Sequence, residues 1–197
     1  MSRFARPVGM LVLLICSSTV AFAHTGVDDA SGFSHGFAHP LLGLDHALAM
    51  IMLGLYVYQR QGTATLLLPA IFVLSMVGGG MLGFLGVTVS FTEEVLALSV
   101  VAIGTVVAFA SRPPIWLVSG LVATFAVLHG YANGAEAPGY VDGGTYALGF
   151  VLATAVLHAT GMAFGAAMER VLHGRSIAQA CGSVAACAGA AMFAGLL

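Results

Sequence analysis

The sequence predicts an all-α membrane protein, with six transmembrane helices after a cleavable signal peptide and helix packing rich in small residues. Three observations carry this expectation. Of 197 residues, 59% are hydrophobic and 7% charged, and the mean hydropathy is +1.01, outside the range of soluble domains. Apolar runs of about 20 residues, the length that crosses a hydrocarbon core as a helix, recur along the chain. The N-terminus, MSRFARPVGMLVLLICSSTVAFAHTG, sets Arg3 and Arg6 before an apolar stretch and ends it at Ala21-Phe22-Ala23, the pattern of a secretory signal peptide.

Residues 1–23 are read as that signal peptide, because the apolar core from Val8 to Val20 is short for an uncleaved anchor. Cys16 follows Ile15, which is not the small residue a lipidation site requires. Cleavage after Ala23 leaves 24–197 as one six-span domain beginning at His24. Its apolar runs lie at 39–58, 64–85, 93–110, 114–133, 145–167 and 177–197. Short loops rich in Gly, Pro and charge separate them, leaving no room for a soluble domain. Glycine- and alanine-rich stretches such as GGGMLGFLG at 78–86 and CGSVAACAGAAMFAG at 181–195 suit close helix approach in lipid. Cys181 and Cys187, six positions apart, point about 120° from each other on a helix, which predicts neither a disulfide nor a metal pair.

The arginines set orientation, since basic residues beside spans stay on the cytoplasmic side. Arg60, Arg112, Arg170 and Arg175 all fall in the first, third and fifth loops, whereas the second and fourth carry only Glu93, Glu94, Glu136 and Asp142. Both mature termini are therefore expected outside. The chain has no lysine and a formal net charge of −2, so no basic block exists to neutralise nucleic-acid phosphates.

Ionisable groups inside spans are costly, about 3 kcal/mol for a charge at the bilayer centre, and such residues are by default candidates for function. HPLLGLDHALAM, residues 39–50, holds His39, Asp45 and His46. With Pro40 in a first helical turn, His39 lies at the outer mouth and Asp45 with His46 roughly 10 Å deeper. His39 and His46 share a face but are too far apart, about 10 Å on a straight helix, for one ion. His129 lies near the outer end of the fourth span, and LHGYANGAE carries Asn133 and Glu136 to the same mouth. His158 lies near the middle of the fifth. Imidazole and carboxylate together suit borderline divalent ions such as Ni(II), Co(II) and Zn(II). The expected pairings are His46 and Asp45 with His129 at an internal site, and His39 with Glu136 at the entrance. Glu93 and Glu94 after Thr92 read as a capped first helical turn, Asp142 as a turn residue, and His173 as solvated. His35 reads as solvated too, with a part in capture at the mouth, and a cleaved His24 offers an amine and an imidazole to one ion.

HPLLGLDH fits the H-x5-D-H signature of the HupE/UreJ family of nickel or cobalt permeases, and LHGYANGAE resembles that family's second motif, a histidine-glycine segment ending in glutamate. The resemblance covers essentially the whole mature chain. It implies uptake of Ni(II) or Co(II) across the bacterial inner membrane for metalloenzymes such as hydrogenase or urease, with His39, Asp45, His46, His129 and Glu136 as motif residues. One departure stands out: Asn133 occupies the place of a second histidine, and a neutral amide oxygen is a weaker ligand.

The sequence carries no ATP-binding motif, which favours secondary transport or facilitated diffusion without a prosthetic group. The implied partners are a divalent metal ion and the lipid bilayer, with a homo-oligomer left open. The rival reading is an intramembrane zinc hydrolase, with the histidines as ligands and Asp45 or Glu136 as general base.

Overall fold

A computed structural model describes residues 32–139 and 141–197; the signal peptide and His24 lie outside the described residues. Among the described residues seven helices follow one another: α1 Gly32–Leu42, α2 Leu44–Arg60, α3 Ala64–Phe84, α4 Thr92–Ala108, α5 Ile115–Ala135, α6 Gly143–Glu169 and α7 Gly174–Phe193. No strand occurs among the described residues. Helices α3, α5, α6 and α7 are long and apolar enough to cross a membrane, and α1 with α2 supplies a fifth crossing if the bent pair is one span. Helix α4, of 17 residues, is apolar and shorter, roughly 25 Å at 1.5 Å per residue.

The expected first span, a straight helix from His39 with Pro40 in its first turn, is corrected. Pro40 sits near the end of α1, where it has no N–H to give the Gly36 carbonyl. Gly43 then takes an extended backbone, φ −74° and ψ 116°, and α2 leaves at 78° to α1. Asp45 falls in the first turn of α2, where a negative charge meets the positive end of the helix dipole.

Helix α2 is the hub. Met52 to Val57 are buried without interruption, the sign of a helix enclosed on all sides. It packs against α3, α4, α6 and α7, and Met50, Leu53 and Tyr56 join Phe72, Met76, Val100 and Phe150 in the core. Leu74, Trp116, Leu148 and Val184 point outward, which suits an apolar surround.

Small residues make the closest approaches, as the composition predicts. A Cβ on Gly79 of α3 would strike the Val127 carbonyl of α5, and one on Gly130 of α5 would strike the Met76 carbonyl in return. Gly54 of α2 and Gly161 of α6 meet in the same reciprocal way, against the carbonyls of His158 and Ile51. Since apolar burial drives little helix association in lipid, such backbone contact is where van der Waals energy is gained. It also places His158 against the hub.

Candidate functional site

The bend at Gly43 changes what His39 can do. Its ring centroid lies 5.7 Å from that of His46, edge to face, where a straight helix would have held the two about 10 Å apart. The expected separation into distant stations is thereby corrected. His39 Nε2 also lies 3.6 Å from Glu136 Oε2, at the C-cap of α5, so α1, α2 and α5 meet at one mouth.

Asp45 is tied to its neighbour. Its Oδ1 accepts from the His46 backbone N–H at 2.7 Å and lies 2.8 Å from His46 Nδ1. The geometry is that of a carboxylate orienting an imidazole through Nδ1. His46 is 4% exposed and His129 fully buried, and their rings meet at 4.6 Å, nearly perpendicular. His46 Nε2 is 3.4 Å from the His129 carbonyl oxygen, a contact that becomes a hydrogen bond only when Nε2 also carries a proton.

His129 and Asn133 stand one turn apart on α5. Asn133 Nδ2 donates to the His129 carbonyl at 2.8 Å, and Tyr146 of α6 donates to the Asn133 carbonyl at 3.0 Å. His129 Nδ1 and Asn133 Oδ1 are buried with no hydrogen-bond partner. Unpartnered buried acceptors are uncommon and call for an explanation. The opposite nitrogen, His129 Nε2, lies 2.9 Å from Ser99 Oγ on α4.

Phe72 of α3 links this cluster to His158. Its ring lies 5.9 Å from that of His129 and 5.1 Å from that of His158. His158 is 2% exposed, and neither of its ring nitrogens has a hydrogen-bond partner. The rings of His39, His46, His129, Phe72 and His158 thus form a continuous file from the mouth into the core. Among the described residues, no three His, Cys, Asp or Glu side chains are grouped to hold one metal ion.

A cleft of about 960 Å³ opens at the mouth, lined by His39, Asp45, His46, Glu93, Glu94 and Glu136 among others. The capping role given to Thr92 is corrected. The helix cap is Phe91, in a left-handed conformation with φ 63° and no side-chain hydrogen bond, while the Thr92 hydroxyl donates to the Val89 carbonyl. The two glutamates of that first turn belong to the cleft wall. Asp142 is a helix cap rather than a simple turn residue: its carboxylate accepts from the Thr145 N–H at 2.8 Å, which holds its pKa below the usual value.

Sequence reasoning missed Ser99 and Phe72, whose roles come from cross-helix neighbours that an apolar run does not announce. His35 is half-buried on α1, and His173 is exposed before α7. Cys181 and Cys187 are free.

The HupE / UreJ protein family model matches residues 11–192. Protein HupE of Rhizobium leguminosarum bv. viciae is 36% identical over 177 residues, which cover 90% of this chain and 92% of the relative. No solved structure gives a significant match.

Proposed function

The chain belongs to the HupE/UreJ family, and from that premise we propose that it carries Ni(II) or Co(II) across the bacterial inner membrane, by secondary transport or facilitated diffusion, for metalloenzymes such as hydrogenase or urease. In this reading six crossings follow the removed signal peptide, both mature termini are periplasmic, and the Asp45 mouth faces outward. His39, Asp45, His46, His129, Glu136 and His158 act on the metal along the path, Asn133 contributes its amide oxygen, and His24 and His35 assist capture.

One observation carries the proposal: the file of imidazoles from the mouth inward, with buried acceptors left unpartnered at His129, Asn133 and His158. A divalent ion gives up strongly bound water to enter a bilayer, and fixed acids with neutral nitrogen donors offset that loss. The acidic cleft raises the local concentration of cations. Donors that follow one another in depth hold the ion weakly enough to pass it on, as conduction requires. At the other end a second cleft of about 350 Å³, lined by Gln59, Arg60, Arg112, Glu169 and Arg175 among others, serves as the exit. Donors spread along a file support carriage rather than hydrolysis, which needs them gathered around one activated water.

The test is metal entry into liposomes containing the purified protein, with Ni(II), Co(II) and Zn(II) measured separately at varied proton gradient and membrane potential. Entry of Ni(II) or Co(II) above that of empty vesicles is the expected result. Entry of none of the three would end the transport reading.

A further inference from the structure

Resting on the metal path above, we propose that Ser99 is a positioning residue: it holds His129 as the Nε2–H tautomer, so that the bare Nδ1 is the atom His129 offers to a metal ion. A serine hydroxyl carries a single hydrogen. Ser99 spends it on the Leu96 carbonyl, to which Oγ donates at 2.6 Å. Toward His129 Nε2, 2.9 Å away, the same oxygen can then only accept, and the ring must be the donor. A neutral imidazole protonated on Nε2 has a lone pair on Nδ1. That Nδ1 is the buried atom without a partner.

The surroundings leave the ring no other arrangement of equal quality. Beside Ser99 lies a crevice of about 90 Å³ lined by Ala49, Leu53, Phe72, Ile103 and Val122 among others. Apart from Ser99 and His129 its walls are apolar side chains, so the hydroxyl is the acceptor available to Nε2–H. Reversing the tautomer would turn the hydroxyl toward a bare Nε2, losing its bond to the Leu96 carbonyl and leaving a buried Nδ1–H with no acceptor.

Asp45 acts on the neighbouring ring through the other nitrogen: its carboxylate accepts from His46 Nδ1–H, while His46 Nε2 faces the His129 carbonyl oxygen at 3.4 Å. The two rings in contact are therefore held by oxygens at different nitrogens, Nδ1 of His46 and Nε2 of His129. A ligand held by an outer partner in this way keeps both its tautomer and its ring angle, and losing the partner costs about 10- to 100-fold in metal affinity.

The experiment uses the full chain labelled with 15N-histidine, in lipid nanodiscs for the spectra and in liposomes for uptake, with Zn(II) as a diamagnetic probe. His129 is assigned by subtraction with His129→Gln. Without metal, the 15N shifts should place the His129 proton on Nε2, and Zn(II) should move the Nδ1 signal. Ser99→Ala should lose the single tautomer and raise the metal concentration for half-maximal uptake about 10- to 100-fold, with the maximal rate little changed. Ser99→Thr, which keeps the hydroxyl, should restore both. A parental His129 protonated on Nδ1, or a Ser99→Ala protein with parental tautomer and uptake, overturns the proposal. An Nε2–H ring in a protein that carries no metal overturns the metal path; an Nδ1–H ring in one that does carry metal overturns the role of Ser99 alone.

Discussion

The rings of His46 and His129 meet at 4.6 Å and 89°, although 83 positions separate them in the chain. The contact joins the buried hub helix α2 to α5 at the level where α4 contributes Ser99. It sets two nitrogen donors side by side, each with its other nitrogen engaged by an oxygen from Asp45 or Ser99. What each neighbour contributes can be separated by substitution.

We predict that Asp45→Asn inserts at the parental level and loses nearly all uptake at low external metal. The amide keeps an oxygen for the His46 N–H groups, so the helix start and the ring angle survive. The negative charge that offsets the ion's dehydration does not. His46→Ala should behave alike, and His158→Ala should be milder. Metal accumulated per immunoblotted molecule is the measure, and parental uptake by Asp45→Asn would remove the carboxylate from the path.

The pairings of His39 with Glu136 and of His46 with His129 were legible in the sequence, because motif residues from different spans were placed at one mouth by depth alone. The approach of His39 to His46 was not. A seven-residue spacing describes a straight helix, and nothing local reveals that Pro40 and Gly43 turn the chain by 78°. Glu93 and Glu94 do lie in an acidic first helical turn as read, but Thr-Glu-Glu also matches a threonine-capped start, whereas the actual cap is a left-handed Phe91. The packing glycines were legible as a class, but which glycine touches which carbonyl depends on the register between helices.

Glu93→Gln and Glu94→Gln together should slow metal entry at low ionic strength, and the deficit should shrink as salt is added. The two carboxylates line the cleft with Asp45 and Glu136 and act at a distance, where about 0.15 M salt screens charges beyond roughly 8 Å. Initial rates over a salt series give the test. A deficit independent of salt would mean direct coordination instead.

Asp142 should make a pH-dependent contribution to stability. Its carboxylate accepts from the first-turn N–H of Thr145, which lowers its pKa in the folded protein from the usual 3.8. A folded pKa below the unfolded one means stabilisation that is present above pH 3.8 and fades as pH falls through the lowered folded value. Asp142→Ala should therefore melt below the parent at pH 7 and approach it in strong acid. An equal gap at both pH values would contradict the cap.

Gly79→Ala and Gly78→Ala should have opposite effects. Alanine favours a helix over glycine by about 1 kcal/mol, and at Gly78 the added Cβ meets nothing within 4 Å, so that variant should be at least as stable as the parent. At Gly79 the Cβ would strike the Val127 backbone and push α3 from α5. Thermal melts in detergent distinguish the two, and equal stability would show that this contact yields freely.

Asn133 tests whether the site is tuned by its third donor. Its Nδ2 is fixed on the His129 carbonyl, while Oδ1 is buried without a partner one turn from the bare Nδ1 of His129. A cation at His129 would give that oxygen the interaction it lacks, so Asn133→Ala should raise the metal concentration for half-maximal uptake by about tenfold, equivalent to 1.4 kcal/mol. Asn133→His should lower it, because imidazole nitrogen binds borderline divalent ions better than an amide oxygen does. Uptake against metal concentration, normalised to inserted protein, decides the point. Should Asn133→Ala match the parent while His129→Ala does not, the amide is only a clamp on the His129 carbonyl and the metal passes without it.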